Sequence, residues 1–302
     1  MLLSLTDDDD GRRLDRVLRK ALPDLPLSAL HRLLRKRRVL LDGKPEGAAA
    51  RVRAGQVIDI PVPAARPAPP SAASGAAGPL PPVLFEGAGL LILNKPPGLL
   101  VHGRESLEEL VRFYLEPRLA PSLSFKPGPL HRLDRPTSGI LVFSTSLEGA
   151  RRFSAMMRER KLRKEYLAIV DGIIEGEETW IDCLIRRREA KKTLVPKTPS
   201  ESSREAVTRV RPLASAGRRT LILAEIETGR THQIRAQAAA RGHPLSGDRK
   251  YGGSPLPGGF RLHARALEFS AETALPGLPR RIEAPLPEAF RRKIRELFGG
   301  ES

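Results

Sequence analysis

The stretch HRLDRPTSG, residues 131–139, sets one carboxylate, Asp134, between Arg132 and Arg135 in a chain with 52 Lys and Arg against 35 Asp and Glu. Held ionised in a dry pocket, such a group is a nucleophile or a general base. In a turn it can equally take backbone N–H bonds, or form half of a surface ion pair. A second segment, TGRTHQIRAQAAARGHPLSGDRKYGG (228–253), weighs towards chemistry. Gly229 reads there as a turn residue, and Arg230, His232 and Arg235 stand ahead of a helix. An arginine reaching Asp134 would favour its charged form. Other chemistries lack their residues. The six histidines, at 31, 102, 131, 232, 243 and 263, have neither the i,i+4 pairing nor the cysteine partners of a zinc site. No Gly-rich stretch ends in the GK[ST] of a phosphate loop. The expectation is a reaction run by side chains alone, with no metal and no cofactor.

These residues need a scaffold, and the chain divides into two. Residues 61–82, PVPAARPAPPSAASGAAGPLPP, lack the large apolar residues of a core and read as a linker. In the C-terminal unit, 83–302, strands are expected at 90–95, 139–144, 166–174, 208–213 and 220–227. Helices are expected at 147–161, after Thr231, and at 285–298, where Phe290, Ile294 and Leu297 share a face. Strands with fewer helices between them point to an α+β domain on a mixed, mostly antiparallel sheet. Cys183 reads as a small apolar strand residue.

The N-terminal unit, 1–60, opens on a helix whose Leu14, Val17, Leu18, Ala21 and Leu22 share one face and which Pro23 ends. Ser28 is the expected cap of a second helix, SALHRLLRKRR, with Leu30, Leu33 and Leu34 inward. Its other side carries Arg32, Arg35, Lys36, Arg37 and Arg38. Asp42-Gly43 reads as a turn, and QVIDIPV as a short strand. Cations at a helix end can be a solvated surface favoured by the dipole. Here no acid stands among them to pair, which favours a phosphate-reading face.

The formal net charge is +17. Such an excess repels itself, and a polyanion is the commonest partner that relieves it. No stretch approaches the ~20 apolar residues of a membrane-spanning helix. MLLSLTDDDD lacks the basic head and apolar run of a signal peptide. A single cysteine forms no intrachain disulfide and fits a reducing compartment. A nucleic acid with no membrane is the expected partner, an anionic membrane surface being the rival reading of the charge, and the cytoplasm is the expected location. No patch reads as an obligate interface, which points to a monomer.

Two resemblances sharpen these readings. RLDRVL followed by LLRKRRVLLDGKP resembles the S4 RNA-binding domain over roughly residues 11–60. NKPPGLLVH (94–102), HRLDRPTSG, RKEYLAIVDG (163–172) and the 228–253 segment resemble, in order, the signature segments of the RluA-type pseudouridine synthases. The wording is most similar to the RluC and RluD group, which acts on large-subunit ribosomal RNA. The resemblance implies isomerisation of uridine to pseudouridine: the C1′–N1 bond breaks, the base turns, and C5 joins C1′. It implies Asp134 as the catalytic aspartate, Tyr166 as the tyrosine that stacks on the base and can move a proton, and Arg235 as the arginine paired with the aspartate. It implies Arg132 as the filler of the gap left by the flipped uridine, and Leu262 as the apolar residue against the base. Arg230 is a further candidate for a phosphate or aspartate contact. Lys95, His102, Asn94, His131 and His232 are expected to support or fix loops. The alternatives are the same chemistry on transfer RNA, a non-catalytic RNA-binding ribosome-assembly protein, or a hydrolase pairing Asp134 with Glu165 or Asp248.

Overall fold

The computed structural model describes residues 1–22, 24–61, 78–119, 122–123, 125–187, 192–196, 198–270 and 276–299. Most of the expected linker, and the stop expected at Pro23, lie outside the described residues.

The N-terminal elements are β1 (Leu2–Ser4), α1 (Leu14–Ala21), α2 (Leu27–Arg35), β2 (Leu40–Leu41), β3 (Lys44–Pro45) and β4 (Val57–Asp59). The strands form a sheet in the order β1-β4-β2-β3. Leu14, Val17, Leu18, Leu30 and Leu34 bury their apolar face against Val39, Val52 and Ile58. The second helix departs from expectation at both ends. Pro26, not Ser28, is its N-cap, and Ser28 makes no capping bond. Arg37 adopts a left-handed φ of 53°, so the helix stops before the last of the basic run.

The larger unit contains β5 (Val83–Gly87), β6 (Leu90–Lys95), α3 (Leu107–Leu115), β7 (Gly128–Pro129), β8 (Ser138–Ser144), α4 (Leu147–Arg158) and β9 (Leu162–Asp171). It continues with β10 (Glu178–Arg187), β11 (Lys192–Leu194), β12 (Arg204–Ala216), β13 (Arg219–Ile226), α5 (Gln233–Ala240), β14 (Leu262–Phe269), β15 (Arg281–Glu283) and α6 (Glu288–Phe298). Its sheet runs β11-β10-β12-β13-β9-β14-β8-β6-β5, with β15 beside β14 and β7 beside β8. Every pairing is antiparallel except β8 with β14. This is the mixed, mostly antiparallel α+β architecture expected.

Every residue of β8 is buried, so both faces of the sheet are covered at its centre. α6 covers one face, with Phe290 and Ile294 against Leu167, Ile169 and Leu221. β9 begins four residues before the expected start at 166. Its first turn of sequence, LRKE, is charged, yet cross-strand partners hold it in the sheet: Arg163 on Glu225 at 3.1 Å and Glu165 on Arg281 at 2.7 Å.

Candidate active site

The register of three central strands places the site. Ala264 of β14 pairs with Gly139 of β8 on one side and Tyr166 of β9 on the other. The approach to β8 is close: a Cβ on Gly139 would stand 2.2 Å from the Ala264 carbonyl oxygen, and its φ is +106°. Only glycine fits. The loop before β8, which carries Asp134, is thereby delivered beside the strand that carries Tyr166.

That loop is tied down by its own neighbours. The Asp134 carbonyl accepts the Thr137 N–H at 3.0 Å. Lys95, at the end of β6 and fully buried, donates to the Pro96 and Arg135 carbonyls at 2.9 and 3.1 Å. Burial lowers its pKa to about 8, against the pull of the Asp134 charge. Arg135 turns away from Asp134 and donates to the Gly98 carbonyl at 2.8 Å. Burial pushes His131 down to about 4. It is therefore a neutral ring whose Nε2 accepts the Val142 N–H at 3.1 Å. These contacts match the loop support expected of Lys95 and His131, and Arg135 joins them.

Arg235 comes from α5, a short helix of small residues buried on nearly every side. Two glutamines dock it. Gln233 donates to the Val207 carbonyl at 3.0 Å and accepts from Thr228 at 2.7 Å. Gln237 accepts from Thr208 at 2.6 Å and donates to Asp182 at 2.7 Å. So fixed, Arg235 donates from Nη1 to Asp134 Oδ2 at 2.7 Å. Its Nε and Nη2 make a two-pronged pair with Asp248 at 2.6 and 2.9 Å. Its guanidinium also lies 4.9 and 4.6 Å from the ring centres of Tyr251 and Phe260. Burial opposes the Arg235 charge, but Asp248 and then Asp134 outweigh it and raise its pKa. The side chains grade outward: Asp248 is 2% exposed, Arg235 7% and Asp134 17%. Asp134 is the member of the chain that a ligand can reach.

His232 holds the other carboxylate oxygen, with Nε2 3.5 Å from Asp134 Oδ1. Its φ of 54° is left-handed, a strained conformation for a side chain of this size. Burial lowers it to about 4, so the ring is neutral near pH 7. Its Nδ1 lies 2.9 Å from the Tyr251 hydroxyl, which also takes the Thr193 N–H at 2.9 Å. That hydroxyl donates its own proton to the Thr193 carbonyl at 3.0 Å.

Above Asp134 lies an open cleft of about 390 Å³, and Arg132, Tyr166, Arg230, Arg235 and Leu262 all line it. Tyr166 and Leu262 are buried apolar walls. Burial and the nearby Asp134 raise the Tyr166 pKa, which keeps its phenol protonated. Arg132 is exposed at the rim with no hydrogen bond or ion pair among the described residues. Arg230 corrects part of the expectation: its Nε is bound to the Glu205 carbonyl at 2.9 Å, so it reaches the rim but not Asp134. Arg32, Arg35, Lys36, Arg37 and Arg38 are exposed and lie outside this cleft. The two acids that a hydrolase would need are both engaged, Glu165 by Arg281 and Asp248 by Arg235, and neither lines the cleft.

The comparisons with known proteins agree with this geometry. The family model described as RNA pseudouridylate synthase matches residues 89–240, which include Asp134, Tyr166 and Arg235. The chain is 34% identical over 260 residues to the ribosomal large subunit pseudouridine synthase C of Vibrio cholerae serotype O1, covering 83% of this chain and 80% of that one. It is 30% identical over 311 residues to the protein of the same name from Escherichia coli K12, covering 98% and 96%. Among solved structures, human RNA pseudouridylate synthase domain containing 4 aligns with a TM-score of 0.59 at 22% identity, over 71% of this chain and 92% of that one. Human RNA pseudouridylate synthase domain containing 1 aligns at 0.56 and 23% identity, over 70% and 85%. These two share the fold.

Proposed function

The chain belongs to the RNA pseudouridylate synthase family, an enzyme that isomerises uridine in RNA, and from this we propose that Asp134 carries the reaction on large-subunit ribosomal RNA. The observation that carries the proposal is the clamp on Asp134: Arg235 holds Oδ2 at 2.7 Å and His232 lies 3.5 Å from Oδ1, in the wall of a cleft that a base can enter. A stacked uridine is out of reach, so it is turned out of the RNA into the cleft, at a cost of about a few kcal/mol. Stacking on Tyr166, worth roughly 1–3 kcal/mol, and packing against Leu262 offset that cost. Arg132, unpartnered at the rim, occupies the space the base leaves. Asp134 then acts on C1′, on C6 or on a ribose proton as the C1′–N1 bond gives way to C5–C1′. The protonated Tyr166 phenol is placed to serve the proton transfer, and Arg230 to meet a phosphate.

Residues 1–60 act in this reading as an S4-like RNA-binding domain ahead of the 61–82 linker, with 83–302 as the catalytic domain. Its support is the exposed run of Arg32, Arg35, Lys36, Arg37 and Arg38, which has no acidic partner among the described residues. The protein works as a monomer in the cytoplasm, in keeping with its single cysteine. Among the described residues no helix is long and apolar enough to cross a membrane.

Asp134→Asn and Asp134→Ala test the reading. Both are expected to abolish pseudouridine formation in ribosomal RNA while RNA binding stays within about twofold. Full isomerisation by either variant would overturn Asp134 as the catalytic group. Pseudouridine appearing in transfer RNA, with the ribosomal map unchanged, would redirect the substrate.

A further inference from the structure

A second concavity gathers charge away from the catalytic cleft. Arg12, Arg13, Arg16, Arg51 and Arg151, with Asp10, line an open hollow of about 1040 Å³. Four of these arginines belong to the N-terminal unit. Arg151 belongs to α4 of the larger unit, so the hollow lies on the seam between them. The seam is anchored beside it: Asp8 Oδ1 accepts the N–H of Leu147, the first residue of α4, at 2.9 Å. An acid at a helix N-terminus is favourable. Arg151 follows one turn later.

The nearby acids, Asp10 and Asp15, offset only part of the charge of the five arginines. Asp15 is spent on Arg13, at 3.1 and 2.7 Å. Asp10 accepts the Ala54 N–H at 3.1 Å. Arg51 donates to the Gly11 carbonyl at 2.6 Å, a contact that orients it without cancelling its charge. Arg16 and Arg151 are exposed and have no hydrogen bond or ion pair among the described residues. Like charges set across a seam repel, and a concave wall with a large excess of one sign concentrates its field. An anion between the two units turns that repulsion into attraction to both. Guanidinium forks match phosphate oxygens in pairs, and five arginines around one open hollow suit a run of backbone phosphates better than a single ion.

We propose that this seam is an RNA-backbone site, separate from both the catalytic cleft and the basic end of α2, and that RNA seated in it holds the N-terminal unit against α4. The proposal rests on the reading of the chain as an RNA-modifying enzyme. Its consequence is that Arg16 and Arg151, from different units, grip one stretch of substrate.

The test uses the full chain with Arg16→Gln, Arg151→Gln, the double variant and Arg151→Lys. The affinity for a large-subunit ribosomal RNA fragment is measured across salt concentrations, alongside single-turnover isomerisation at saturating RNA. Each Gln variant is expected to bind severalfold more weakly and to flatten the salt dependence by about one unit of slope. The double variant loses less than the product of the two, because they share a grip. Arg151→Lys keeps the slope, and the saturated rate is unchanged in all four. Wild-type affinity and slope in both single Gln variants would overturn the seam site, as would strictly multiplicative losses the shared grip. If instead the parent protein isomerises no uridine in any RNA, the functional reading fails, while the binding measurements still decide the seam.

Discussion

Asp134 is placed by a residue that is itself placed by another. Arg235 reaches it at 2.7 Å only because Asp248 grips the guanidinium from the opposite side. Removing one partner of a buried pair costs about 3–5 kcal/mol where it leaves the other charge unpaired, and about 1.5–3 kcal/mol where, as for Arg235 with Asp134, a counter-charge remains and hydrogen bonds to a charged group are lost. Asp248→Asn is therefore expected to lower stability by the smaller of these amounts and to cut the single-turnover rate at least tenfold, with RNA affinity nearly kept. Chemical denaturation and rate measurements on one preparation check both. A wild-type rate would mean that Tyr251 and Phe260 alone orient the guanidinium. At this scale the sequence discloses the outer part of the chain of contacts, Asp134 and Arg235, but not the Asp248 behind them. Asp134, Tyr166 and Arg235 sit in segments whose wording resembles a family. Asp248 and Tyr251 share the 228–253 segment with Arg235 but lie in its Gly-rich end, where nothing local distinguishes a buried clamp from a turn acid. Only the fold brings them to Arg235.

The strands show why some elements were readable and others were not. β6 and β8 are apolar runs bounded by turn residues, and their limits were expected to within one residue. The start of β9 and parts of β10, β12 and β14 carry charges, and cross-strand ion pairs hold such residues in the sheet without leaving a hydrophobic period. α3 was missed altogether. The junction of β8 with β14 depends on Gly139, which the sequence marks only as the start of an expected strand. Gly139→Ala adds a Cβ 2.2 Å from the Ala264 carbonyl oxygen, on top of a φ of +106°. Gly103 has nearly the same φ, +103°, with nothing within 4 Å of a Cβ. Gly103→Ala thus carries the backbone strain alone, roughly 1–3 kcal/mol. Gly139→Ala is expected to cost clearly more and to speed amide exchange in both β8 and β14. Equal melting temperatures for the two variants would show that the strands can separate slightly without loss. If Gly139→Ala yields no soluble protein while Gly103→Ala does, the expected order stands.

Over the whole molecule, the division at the Pro/Ala-rich segment was visible in composition, whereas the seam between the units was not, since it depends on how two surfaces meet. The larger sheet has a weakness of the same long-range kind. Three histidines support its middle as neutral rings. His131 receives the Val142 N–H, His232 faces Asp134, and His263 bridges Ser138 and the Ala284 carbonyl at 2.9 and 3.0 Å. Burial lowers all three below the ordinary value of 6.5, His131 and His232 to about 4. Above pH 6.5 these rings are neutral in both the folded and unfolded chain, and they cost nothing. As the pH falls from about 6.5 towards 4, the unfolded chain takes up protons that the folded chain refuses, so stability declines over that window. The melting temperature at constant ionic strength should drop steadily from pH 7 to pH 4.5. In His131→Gln, whose side-chain carbonyl can still accept the Val142 N–H, the decline should be shallower, because one refused proton is gone. A flat profile from pH 7 to 5, or an identical slope in the variant, would show that these rings take up protons in place and that the sheet tolerates their charge.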